Sequence, residues 1–137
     1  MPKALILFGS AARGTQTPDS DVDLLAIGSE RYASSSKSNG VEIQSYSEEG
    51  FFHLAETGDP FGAHIAMEAV AISDPDSLLS AFRESFRLRE SYATESGHAF
   101  ELAKFLLEFG GRFEDQHLVA KRIAWCVRTG ECQFFCV

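Results

Sequence analysis

Five side chains and one glycine carry the chemistry that the N-terminal third of this sequence offers. An apolar run, Ala4-Leu5-Ile6-Leu7-Phe8, stops at Gly9-Ser10, and a polar loop through Pro18 leads to Asp21-Val22-Asp23-Leu24 in a second apolar run ending at Ile27. Gly9 permits a tight turn at the end of a strand and close approach of a ligand to the backbone. Ser10 is a good N-cap residue, so it is expected to open a short helix with its first N–H groups pointing outward, which makes an anion site. Asp21 and Asp23 alternate with Val22 and Leu24. In a strand both carboxylates leave one face, and the apolar pair is expected to point the other way, into the core. Adjacent carboxylates repel unless a cation lies between them, and oxygen donors beside a phosphate cradle suit Mg²⁺.

These residues together resemble the signature of the polymerase-β-type nucleotidyltransferase superfamily. Gly9-Ser10, then ten residues, then Asp21-Val22-Asp23-Leu24 follows its pattern. The fuller string, with Ala12-Arg13-Gly14 and Ser20, is similar to the small bacterial minimal nucleotidyltransferases and to the aminoglycoside-modifying branch. The resemblance implies a third acidic residue on a neighbouring strand between apolar residues, and Val41-Glu42-Ile43 has that form, with Glu in place of the commoner Asp. It implies that Asp21, Asp23 and Glu42 hold two Mg²⁺ ions, and that Glu42 takes the proton of an acceptor hydroxyl. Gly9 and Ser10 would contact the phosphates of a nucleoside triphosphate, expected to be ATP. Arg13, one short turn past the cradle, is a further triphosphate contact on this reading.

A calcium loop is the strongest rival for residues 19–30. Asp19, Asp21, Asp23 and Glu30 occupy the first, third, fifth and twelfth positions of that pattern, but Leu24 stands where the sharp turn requires glycine. His64 and Glu68 lie four apart and share a helix face. Their spacing is not the zinc-protease pattern, in which Glu directly follows the first His. Phe61 to Glu68 resembles a recurring family segment of His, three residues, then Glu-Gly, with Ala69 here instead of Gly. Packing and hydrogen bonding are the roles expected of the pair. Lys104, Lys121 and Arg122 read as surface residues before they read as phosphate contacts.

The chain of 137 residues is expected to form one domain, with a sheet core over residues 3–72 and a mainly helical part over 73–137. Its net charge of −8 argues against a protein that holds nucleic acid mainly through phosphates, while leaving room for a nucleotide whose charge a metal carries. Most of the Lys and Arg lie beyond residue 80. No apolar run approaches the roughly 18 residues that span a bilayer. The start, Met1-Pro2-Lys3, is too quickly structured for a signal peptide, so a cytoplasmic location is expected. Cys126, Cys132 and Cys136 form no Cys-x-x-Cys, and no histidine follows His117, which suits a reduced protein without a zinc site.

The elements that must position the site follow from periodicity and punctuation. Residues 3–8 and 21–27 read as strands, and 10–17 as a short helix and loop. Residues 30–40, with Ser34-Ser35-Ser36 and Asn39-Gly40, read as a mobile surface connection. Residues 41–46 alternate as a strand. Ser47-Glu48-Glu49 starts a helix that runs to about Thr57, before Gly58-Asp59-Pro60. Phe61–Met67 is expected to be helical and 68–72 a strand. Asp74-Pro75-Asp76 is expected to open a helix with proline in its first turn. Two longer helices follow. One has Ala99, Leu102, Ala103 and Leu106 on one face and ends at Gly110-Gly111. The other has Leu118, Val119, Ile123, Cys126 and Val127 facing the core and ends at Gly130. The tail Gln133–Val137 reads as an unfinished element or a segment that docks on a partner. The fold class expected is α+β: a small mixed β-sheet with helices on it and a helical C-terminal half, which the family resemblance implies as well.

The function implied is Mg²⁺-dependent transfer of a nucleoside monophosphate, AMP from ATP, to a hydroxyl of a protein or small molecule. The small size resembles minimal nucleotidyltransferases that act beside a HEPN-type ribonuclease toxin as its antitoxin and adenylylate it. The aminoglycoside branch, which carries a larger helical part, ranks second. The alternatives are a catalytically silent binding partner or antitoxin and a nucleotide sensor on the same fold.

Overall fold

The computed structural model describes residues 1–131. Two units follow one another along the chain, the first Met1–Arg87 and the second beginning at Leu88. The fold is α+β. In the first unit the elements run β1 (Ala4–Phe8), α1 (Gly9–Arg13), β2 (Val22–Ile27), β3 (Ala33–Ser38), β4 (Val41–Tyr46), α2 (Glu48–Glu56), α3 (Pro60–Glu68), β5 (Val70–Ser73) and α4 (Leu78–Ser85). The five strands make one mixed sheet in the order β3-β4-β2-β1-β5. β2 and β4 are parallel, and the other neighbouring pairs are antiparallel.

Helix starts are set by short polar side chains. The Ser47 hydroxyl accepts from the Gly50 N–H at 3.0 Å to open α2, with Glu48 and Glu49 in the first turn, where acids favour the helix dipole. Asp59 accepts from the Phe61 N–H at 2.8 Å, and Pro60, which lacks an N–H, takes the first helical position of α3. α4 begins later than the sequence suggests, and Pro75 lies outside it. Asp74 still caps the helix, accepting from the N–H groups of Leu78 and Leu79 at 2.8 and 2.9 Å, while Ser77 turns through a left-handed conformation to start it.

One face of the sheet carries the core. Ala4 and Ile6 of β1 stand opposite Ile27 and Leu25 of β2, and all four are buried with Phe51 and Ala55 of α2, Ile65 of α3, and Leu78, Leu79 and Phe82 of α4. The Phe51 and Phe82 rings stack at 4.4 Å. Burial of each such aromatic contributes about 1.5–3 kcal/mol, which holds α2 and α4 together over the sheet.

Residues 33–38 are a strand within the stretch expected to be a mobile connection, and they form a hairpin with the expected strand at 41–46. Its two-residue loop, Asn39-Gly40, has positive φ at both positions, 50° and 76°, as the turn that matches strand twist requires. The hydrophobic pattern could not show β3, because this edge strand is almost wholly exposed.

The second unit holds α5 (Ala93–Phe109), a 3₁₀ turn (Gly110–Arg112) and α6 (Gln116–Glu131), with α5 and α6 packed as a helical pair. A Cβ on Gly110 would meet Val119 at 2.8 Å, so the glycine lets the two helices approach. α6 continues through Gly130 instead of ending there, and Leu118 and Val127 are exposed, not turned to a core. Cys126 is buried, and burial pushes its thiol up. Cys132, Cys136 and the apolar tail lie outside the described residues. Among the described residues no helix is long and apolar enough to cross a membrane.

Candidate active site

β1 delivers the chain to Gly9, whose φ of 71° turns it sharply out of the sheet and into α1. Phe8 stands directly opposite Asp23, so this turn lies against β2 where the aspartates are. A Cβ on Gly9 would fall 2.3 Å from Asp23 Oδ2, so only glycine leaves that oxygen its place. Ser10 is the second residue of α1 and not its cap; Phe8 holds the cap position without a side-chain hydrogen bond. α1 closes at Gly14 in the left-handed conformation and packs on β1, β2 and α3.

The carboxylates share a face, but it is the core face. Asp23 has the same parity as Leu25 and Ile27, both 0 % exposed, whereas Val22 on the opposite side is 39 % exposed. The expectation that Val22 and Leu24 point into the core is therefore corrected. Apolar residues occupy both faces of this strand, and α2, α3 and α4 cover the side that bears Leu25 and Ile27. The aspartates prolong the buried row to the point where the strand leaves the apolar layer.

Parallel pairing of β2 and β4 sets Glu42 beside Asp23 in register. Antiparallel pairing of β3 and β4 sets Lys37 beside Glu42. Phe8, Asp23, Glu42 and Lys37 thus form one row across four strands, on one face of the sheet. At its margin Asp21 receives the Lys37 ammonium, with Nζ 2.8 Å from Oδ2. In the next row Gln44 donates from Nε2 to Glu42 Oε1 at 3.2 Å and to Ser35 Oγ at 3.2 Å, which steadies the glutamate.

Of the residues the sequence singled out, the backbone brings Gly9 and Asp23 together and sets Glu42 alongside. Asp21 adjoins them, just before β2. Arg13 Nη1 donates to Glu68 Oε2 at 3.1 Å, tying α1 to the end of α3. That ion pair also gives Glu68 the hydrogen-bonding role expected of it. Lys37 and Gln44 escaped the sequence reading. The signal for Lys37 was the Asn39-Gly40 turn, which places it opposite Glu42.

Among the described residues no three His, Cys, Asp or Glu side chains close into a group able to hold a metal ion. The three acids the sequence singled out are nonetheless carboxylates, the kind of donor that a hard divalent cation takes. Asp21, Asp23 and Glu42 supply only carboxylate oxygens, from adjoining segments on one face, and an ammonium already sits on one of them. A family model for a nucleotidyltransferase domain matches residues 2–87, almost the whole of the first unit. No curated protein matches the chain.

Proposed function

The chain belongs to the nucleotidyltransferase domain family, and from that premise we propose that it moves AMP from ATP to a hydroxyl of a protein or small-molecule acceptor. Nucleotidyl transfer itself follows from the family; donor, acceptor and mechanism are our reading. The observation that carries it is the register of β2 and β4, which sets Glu42 beside Asp23 where Gly9 turns against it.

On this reading the first turn of α1, with Gly9 and Ser10, receives the phosphates, because unpaired N–H groups at a helix start favour anions. Asp21, Asp23 and Glu42 would hold Mg²⁺ ions, which when bound neutralise the triphosphate and acidify the acceptor hydroxyl. Glu42, steadied by Gln44, accepts the acceptor's proton. The acceptor oxygen forms a bond to the α-phosphorus in line as the bond to pyrophosphate breaks. Positioning of the two reactants supplies most of the acceleration. A HEPN-type toxin is the protein acceptor we favour, which would make the chain an antitoxin.

Incubation with α-labelled ATP, Mg²⁺ and candidate acceptors tests this. Label on an acceptor with equimolar pyrophosphate is the expected result. A second reading, a silent binding partner or nucleotide sensor, draws on the ammonium seated on Asp21. It predicts complex formation or ATP binding with no pyrophosphate released.

A further inference from the structure

The hairpin of β3 and β4 does more than widen the sheet. Its two-residue loop fixes the register, so Lys37 faces Glu42 and shares the carboxylate face; a slip of one residue would turn it to the other side. From there its ammonium reaches Asp21 Oδ2 at 2.8 Å. The two partners are unequal: the Lys37 side chain is 55 % exposed, while Asp21 is 12 % exposed. The other lysine ion pairs, Lys3 with Glu48 and Lys104 with Glu101, join acids that are 43 % and 72 % exposed. Lys37 alone among these brings a mobile charge from solvent onto a carboxylate that is nearly buried.

An ammonium seated on Asp21 Oδ2 competes with a divalent cation for that carboxylate, because the two positive charges repel at such short range. Lysine suits an exchangeable role, being a compact charge on a flexible stem, without the bidentate grip of arginine. We infer that Lys37 is a resident counter-ion of Asp21, holding that carboxylate until a divalent cation enters and then withdrawing to solvent. Metal entry thereby carries a built-in competition, and the empty site is spared adjacent like charges. The inference rests on Asp21 being a metal ligand, as proposed above.

Direct titration of the whole chain with Mn²⁺, without nucleotide and at low ionic strength, reads this competition through the spectroscopic signal of free Mn²⁺. Lys37→Met and Lys37→Gln should bind Mn²⁺ about five-fold more tightly, since a partly exposed ion pair is worth up to about 1 kcal/mol. Lys37→Arg, which keeps the charge, should show no such gain. Lys3→Met makes the same change of net charge at the far end of β1 and should leave Mn²⁺ affinity unaltered. Equal affinity in wild type, Lys37→Met and Lys37→Gln would overturn the inference, as would an equal gain in Lys3→Met. Asp21→Asn separates the two levels of the argument. Loss of Mn²⁺ binding in Asp21→Asn with no Lys37 effect sinks the counter-ion alone, whereas undiminished binding in Asp21→Asn sinks the metal reading beneath it.

Discussion

Gly9 and Asp23 are packed so closely that a methyl group on the glycine would stand 2.3 Å from the Asp23 carboxylate oxygen. The glycine also holds φ at 71°, a left-handed conformation that other residues adopt at a cost. Gly9→Ala should therefore act twice. The backbone strain should lower stability by about 1–2 kcal/mol in a denaturant titration. Displacement of Asp23 should reduce transfer by about a hundred-fold, well beyond what the stability loss explains. Unchanged transfer in the folded variant would show that Asp23 can work from another position.

Asp21 tests the carboxylate set from the other side. Two acids alone would repel, and Asp21→Asn would then be expected to stabilise the fold. The Lys37 ammonium offsets that repulsion in the structure, so the substitution should move stability by less than about 1 kcal/mol while abolishing transfer. Thermal melts and pyrophosphate release on the same preparation check both halves. Full turnover in this variant would remove Asp21 from the site.

The frame of the site was legible because its signals are local. An apolar run ended by Gly9, a strand alternating around Glu42, and a Ser47 cap before Glu48 and Glu49 each act within a few residues. What escaped depends on the partner of each element. Val22 and Leu24 compete with Leu25 and Ile27 for the inner face, and only the helices packed above decide which pair is buried. β3 has no apolar alternation, since an edge strand with both faces near solvent needs none, and its one signal was the Asn39-Gly40 turn. Arg13 meets Glu68 across 55 residues of chain, a pairing with no trace in either local pattern.

That pairing predicts a measurable coupling. The Arg13 and Glu68 side chains are 29 % and 25 % exposed, and they join α1 to α3. A double-mutant cycle with Arg13→Met and Glu68→Gln should give a coupling free energy of about 0.5–1 kcal/mol by chemical denaturation. If Arg13 instead serves the triphosphate, Arg13→Met should raise the KM for ATP while Glu68→Gln leaves it level or lowers it. A coupling near zero would mean that the two side chains are solvated separately.

Tyr46 closes the core at the end of β4, with its ring stacked on Phe61 at 6.2 Å. Burial raises its phenol above the ordinary value of 10.0, and the nearby Asp59 and Tyr32 raise it further. The native state therefore holds the phenolic proton more tightly than the unfolded chain does. Above about pH 10 the unfolded chain gives up that proton while the native state retains it, so stability falls as pH rises. The contribution is intact below the unfolded value and lost as pH climbs through the raised one. Tyr46→Phe keeps the ring on Phe61 and removes the ionisation, so its stability should run parallel to wild type at neutral pH and fall less steeply above pH 10. Denaturant titrations of both proteins from pH 7 to 11 compare the slopes, and identical alkaline slopes would show that the Tyr46 hydroxyl is solvated in the native protein.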